Sequence, residues 1–211
     1  MKLCKISLVI FLVFCLISSA WCLKDRGISV GLTNSTHDFN TIYNIGARWE
    51  AGYKLGYNIS IFIDFLKHRS LFSRLSTSFV QKGATIKIIT VTLNPGEISF
   101  QNDLNYLSLA LSQGIAINGK HVRPYFLLGI RYDILISKEI EVLNSFYDHY
   151  KTNVFGLSGG IGLKFKGFSL PFFAEIVYNH DMTQSQAKFS DREELQNIKN
   201  KNVDLKIGIQ F

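Results

Sequence analysis

The nine residues Val203-Asp204-Leu205-Lys206-Ile207-Gly208-Ile209-Gln210-Phe211 alternate between apolar side chains and polar or small ones. Successive side chains of an extended strand point to opposite faces, so Val203, Leu205, Ile207, Ile209 and Phe211 share one face and Asp204, Lys206, Gly208 and Gln210 the other. Working back from this stretch, the same period of two recurs. Phe155, Leu157, Ile161, Leu163 and Phe165 stand against Gly156, Ser158, Gly160, Gly162 and Lys164, and Phe168 to Tyr178 follows the rule with Ser169 and Glu175 on its second face. Tyr53 to Phe65 and Val122 to Ile136 are longer versions, and Ile28 to Thr33, Ser73 to Lys82 and Asn105 to Ile115 are weaker ones. Eight strands are therefore predicted.

Their connections alternate in length. Leu66 to Phe72, Asn118-Gly119-Lys120 and Lys166-Gly167 are short, whereas Asn34 to Gly52, Gly83 to Leu104, Ser137 to Asn153 and Asn179 to Asn202 are long. Short turns at one end and long loops at the other define an eight-stranded antiparallel up-and-down transmembrane β-barrel, with both termini at the short-turn, periplasmic end. Bulky Phe, Ile, Leu and Tyr dominate the apolar faces, and eight strands leave an interior just wide enough for side chains. The apolar faces are thus predicted to meet lipid, with Gly, Ser and charge inside. Phe168 and Tyr178 are ten residues apart, about 25 Å at roughly 3.3 Å per residue and a tilt of about 40°. Tyr53, Tyr132, Phe155 and Tyr178 are then expected in an outer aromatic girdle, and Phe65, Phe165, Phe168 and Phe211 in an inner one.

Residues 1–22 read as a signal peptide preceding a barrel domain over 23–211. Lys2 and Lys5 form a basic end, Ser7 to Ile17 an apolar run, and Ser18-Ser19-Ala20 a cleavage region, with a cut after Ala20 or Cys22. Trp21 argues against a lipoprotein signal. Cys4, Cys15 and Cys22 all lie in or beside this segment, so the folded part is expected to hold no disulfide and no thiol chemistry. Loss of Lys2 and Lys5 lowers the formal charge from +7 to +5. With 47% apolar and 18% charged residues, the composition excludes a disordered tail, a collagen and a helical repeat array.

The runs Phe79-Val80-Gln81-Lys82-Gly83-Ala84, Leu104-Asn105-Tyr106-Leu107-Ser108-Leu109 and Pro124-Tyr125-Phe126-Leu127-Leu128-Gly129, with the strand ending in Phe211, resemble the PorT-like outer-membrane β-barrel family of the Bacteroidetes lineage. The resemblance spans essentially the whole mature chain. It departs from the family pattern at Ser108, where many members carry Glu, and at Ala110, near a stretch that often contains Pro. Leu205, Ile207, Ile209 and Phe211 look like the C-terminal assembly signal read by the barrel-assembly machinery. Their physical content is an apolar strand able to pair with another sheet edge before closure.

No catalytic, cofactor-binding or metal site is expected. His37, His68, His121, His149 and His180 are scattered over loops and turns and read as solvated surface groups, and Ser158 sits in a strand rather than at a strand-to-helix elbow. The constellation with energetic meaning is the set of inward charges. Lys54, Asp64, Arg74, Lys82, Arg123, Arg131, Asp133, Lys164, Glu175, Asp204 and Lys206 have inward parity, and buried charges persist only when paired. Seven are basic and four acidic, which allows either a salt-bridged plug or a lumen that prefers anions. Glu175 is the expected partner of Lys206. Asn94-Pro95-Gly96 predicts a hairpin turn that carries strands three and four beyond the bilayer, and Ser190-Asp191-Arg192-Glu193 predicts a short helix by its capping-box spacing. The expected partners are outer-membrane lipids, the assembly machinery and an unidentified protein or surface ligand at the long loops, with no nucleic acid. The functional classes consistent with this are a structural or interaction protein, a small anion pore and a lipid-modifying enzyme at the barrel rim, in that order.

Overall fold

A computed structural model describes residues 25–38, 42–44, 47–90, 96–140, 151–167, 170–183 and 199–211. The predicted leader, the Ser190 capping box, His149 and Phe168 lie outside the described residues. Ten strands form one antiparallel sheet: β1 (Arg26–Asp38), β2 (Ile42–Asn44), β3 (Ala47–Gly52), β4 (Lys54–His68), β5 (Leu71–Thr90), β6 (Gly96–Ala116), β7 (Val122–Ile140), β8 (Asn153–Phe165), β9 (Phe172–Asp181) and β10 (Lys199–Gln210). Eight of them close a ring. Each of β4 to β10 pairs with the next, β10 returns to β1 from Gly27↔Gln210 to Asp38↔Lys199, and β1 pairs with β4. The remaining two are a small addition, with β3 continuing the line of β4 against β5 and β2 pairing with β3. Closure leaves no free edge around the ring, which satisfies backbone groups that lipid cannot.

Alternation sets the facing. On β10, Ile207 is 62% exposed and Leu205 53%, whereas Asp204 is 2% exposed. On β1, Ile28, Val30 and Leu32 are exposed while Ser29, Thr33 and Ser35 are buried. Apolar side chains therefore point away from the barrel axis and polar ones toward it, the inverse of a soluble barrel and the arrangement a lipid solvent selects.

Three expectations change. Gly83 to Leu104, predicted as a long connection, is largely ladder: β5 and β6 stay paired from Leu71↔Ile115 to Thr90↔Gly96, so the hairpin continues past the end of β4 with β3 beside it. The turn predicted over Leu66 to Phe72 is tighter, with His68 paired to Leu71 after a bulge that follows Phe65. The seventh ring strand starts at Phe172 and reaches Asp181, which adds an acidic residue to the interior.

The interior is also more aromatic than predicted. Phe62, Phe72, Tyr125 and Phe173 are buried near the short-turn end. Each ring lies over a glycine paired directly across the ladder: Gly27, Gly114, Gly162 and Gly208 respectively. A Cβ at any of the four glycines would stand 2.2 to 2.5 Å from a ring carbon, so the missing side chain is the space the ring occupies. That pairing is how a narrow barrel admits four rings without overpacking. Phe62 and Phe173 meet edge to face at 5.3 Å, and Phe72 and Tyr125 at 6.0 Å.

Candidate functional site

The buried charges sort into three layers along the barrel axis. In the layer nearest the short turns, Arg74 on β5 donates from Nε to Asp64 Oδ1 at 2.7 Å and from Nη1 to Glu175 Oε2 at 2.6 Å. Lys164 donates to Asp64 Oδ2 at 2.8 Å, and the Tyr125 hydroxyl donates to Glu175 Oε2 at 2.6 Å. The Arg74 guanidinium lies 4.1 Å from the centre of the Phe62 ring and within 6 Å of the Phe72, Tyr125 and Phe173 rings. This is a cation enclosed by aromatic faces and neutralised by two carboxylates.

The middle layer centres on Asp204. Thr33 Oγ1 and Asn202 Nδ2 donate to its Oδ1 at 2.8 and 2.7 Å, and the side-chain amides of Asn58 and Asn179 donate to its Oδ2 at 3.0 Å each. Lys206 is 3.7 Å away. Four neutral donors thus hold this carboxylate, with one distant ammonium.

Nearest the long loops, Lys82 donates to Asp133 Oδ2 at 2.5 Å, Arg131 Nε lies 3.1 Å from the same oxygen, and the other end of Arg131 bonds Asp181. Asn200 Nδ2 donates to Asp181 Oδ2 at 3.0 Å, and His37 Nδ1 bonds Asn200 Oδ1 at 2.7 Å. Lys82 also stands 5.0 Å over the Tyr106 ring, which is fully buried with Leu104 and Val154.

Each layer is formally neutral: Arg74 and Lys164 with Asp64 and Glu175, Lys206 with Asp204, and Lys82 and Arg131 with Asp133 and Asp181. Between them remains a cavity of about 50 Å³, bordered by small residues such as Ser76, Ser108, Ala110 and Ser158 on one side and by Asn58, Asn179 and Asp204 on the other. Such a volume accommodates a few water molecules.

Several expected site residues are placed differently. Glu175 is opposite Lys206 in the ladder, yet its carboxylate is taken by Arg74 and Tyr125. Arg123 stands apart from the layers at the short-turn end, where its Nη2 donates to the Arg69 carbonyl at 3.4 Å. Lys54 pairs with Asp103 toward the long-loop end. The expected positive excess is absent, because Asp181 joins the interior, Arg123 leaves it and Lys54 is balanced by Asp103. His37, read as a surface group, is buried against Asn200.

On the outer surface, Tyr53, Tyr132, Phe155 and Tyr178 are exposed toward the long-loop end, with Tyr132 paired to Phe155 across the ladder. Phe65 and Phe165 lie near the short turns, and Phe165 stacks at 4.5 Å on Phe172. Ten residues separate Phe155 from Phe165 along β8, about 25 Å of tilted strand. Leu205, Ile207 and Phe211 are exposed on the outer face, and Ile209 is half-buried. Among the described residues, no group of three His, Cys, Asp or Glu is arranged to hold a metal ion.

A closed ring of eight strands, apolar outside and filled inside by balanced charge, defines a transmembrane β-barrel protein. The family model described as "Outer membrane protein beta-barrel domain" matches residues 25–186, and the chain belongs to that family. It is an outer-membrane protein. No curated protein matches it at the sequence level. Among solved structures it is similar to Ail, the attachment invasion locus protein of Yersinia pestis, at 18% identity over 90% of this chain and 99% of that one, with a TM-score of 0.44. It is also similar to Neisserial surface protein A, at 11% identity over 88% and 97% with a TM-score of 0.47, and to the outer membrane enzyme PagL, at 12% identity over 88% and 98% with a TM-score of 0.39.

Proposed function

We propose that the protein is a closed barrel with a structural or interaction role, whose long loops meet a protein or surface ligand outside the cell. The observation that carries this reading is the filled interior: among the described residues, three neutral layers of paired charge occupy the lumen, with a cavity of about 50 Å³ between them. The projecting β5–β6 hairpin and the added β2–β3 pair put extra backbone at the long-loop end, where recognition segments are usually displayed. The short-turn end and both termini face the periplasm, residues 1–22 direct export, and the assembly machinery reads Leu205, Ile207, Ile209 and Phe211. The finer family relationship is PorT-like, on the sequence runs at Phe79, Leu104 and Pro124.

The pore reading loses its main support with the positive excess, and the enzyme reading finds no Ser, His and carboxylate joined by hydrogen bonds among the described residues. Conductance of the purified protein in planar bilayers tests the proposal. The expected trace is the baseline of protein-free lipid, and stable unitary steps with anion selectivity would replace it by the pore reading.

A further inference from the structure

The short-turn rim carries an unbalanced patch. Backbone bonds tie its turns together: Ala116 N donates to Ser70 O at 2.7 Å, and Lys166 N to His121 O at 2.8 Å. With the 3.4 Å bond from Arg123 to the Arg69 carbonyl, these contacts gather Arg69, Lys120, Arg123 and Lys166 from three turns onto one side of the rim. Arg69, Lys120 and Lys166 are exposed and Arg123 is half-buried with its Nε unpartnered. Among the described residues none of the four is in a salt bridge. The carboxylates of this end are committed elsewhere, Asp25 to Lys67 and Asp64 to Arg74 and Lys164. Four cations gathered on one side of the rim give it a local positive charge that attracts an external anion.

The surface beside the patch identifies the anion. Lys166 follows Phe165 directly, and the stacked Phe165 and Phe172 rings with exposed Val122, paired to Phe165 across the ladder, form an apolar wall beside the cations on the outside of the barrel. A cationic rim above an apolar wall matches a phosphate headgroup above acyl chains. We infer that Arg69, Lys120, Arg123 and Lys166 form a docking surface for anionic phospholipid in the leaflet at the short-turn end. The inference rests on the membrane placement proposed above.

The test is boundary-lipid selectivity of the refolded full chain in phosphatidylcholine vesicles, read by electron spin resonance with spin-labelled phosphatidylglycerol and spin-labelled phosphatidylcholine. The expected result at low salt is a preference for phosphatidylglycerol, up to about fivefold for each fully engaged cation, that weakens as salt is raised. R69Q/R123Q/K166Q should bring the preference close to one, R69K/R123K should retain it, and K87Q, at an exposed pair on the projecting hairpin, should leave it unchanged. Equal immobilisation of the two lipids by the unmodified chain overturns the inference, as does a preference that survives R69Q/R123Q/K166Q. Loss of the preference on adding inorganic phosphate, but not chloride at equal ionic strength, overturns the choice of lipid in favour of a free anion. Absence of immobilised lipid of either kind overturns the membrane placement beneath it, which separates the two failures.

Discussion

Replacing Arg74 by methionine keeps much of the apolar stem and removes the charge. Three hydrogen bonds to carboxylates are lost: Nε to Asp64 at 2.7 Å, Nη2 to Asp64 at 3.2 Å and Nη1 to Glu175 at 2.6 Å. Asp64 keeps Lys164 and Gln210, and Glu175 keeps Tyr125, but the layer is left with a net negative charge in a buried setting. Breaking a buried pair from one side costs about 3 to 5 kcal/mol, so Arg74→Met is expected near that range. Glu175→Gln should cost less, about 1.5 to 3 kcal/mol, because the amide still accepts from Tyr125 while Arg74 retains Asp64. In the double variant the uncompensated charges at Arg74 and Glu175 vanish together, and the sum of single effects should overshoot by about 1 to 3 kcal/mol. Equilibrium urea unfolding from lipid vesicles measures all four corners of the cycle. The parallel cycle with Lys206→Gln should be close to additive, although Lys206 is the ladder neighbour of Glu175. A coupling larger for Lys206 than for Arg74 would refute the layer assignment.

Gly162→Val places a branched side chain where the Tyr125 ring stands 2.2 Å from a built Cβ, and should destabilise by about 1 to 3 kcal/mol, while Gly159→Ala, whose Cβ meets nothing closer than 4.0 Å, should stay within about 0.5 kcal/mol in the same vesicle assay. Ile207→Arg on the lipid face should cost about 2 to 4 kcal/mol near the midplane, measured as a shift of the unfolding midpoint. Deleting Phe211 should reduce the fraction of chains inserted in the outer membrane, read by the gel mobility difference between unheated and boiled samples, with export across the inner membrane unchanged.

Alternation over Val203 to Phe211 and Phe155 to Phe165 made strand number, closure and facing legible, because each residue's side of a strand is fixed by its parity. Strand length was less legible. β5 and β6 continue to Thr90 and from Gly96, where Ala84 and Ile86 are apolar and buried while Ile98 is exposed beside Glu97 and Ser99, so apolar character no longer marks one face. The charge network was visible as a set of inward residues and hidden as a set of pairs. Parity names which residues enter the lumen, whereas Arg74 meets Glu175 across the barrel, a distance that ladder order does not encode. Asp181 was missed because it lies three residues past the apparent strand end at Tyr178. The aromatic floor had a signal, a glycine directly opposite each inward ring, that appears only once register is known.

The central claim is that one set of residues meets lipid and the alternate set a sealed, charge-balanced interior. Nitroxide labels placed singly at 201 to 209 in the reconstituted barrel, with oxygen and a water-soluble nickel complex as relaxing agents, test it most directly. The account gives oxygen accessibility a period of two, high at 203, 205 and 207, with both agents excluded at 202, 204 and 206. High nickel accessibility at 202, 204 and 206 would show an open aqueous lumen, and oxygen maxima at those positions would invert the facing; either contradicts the account.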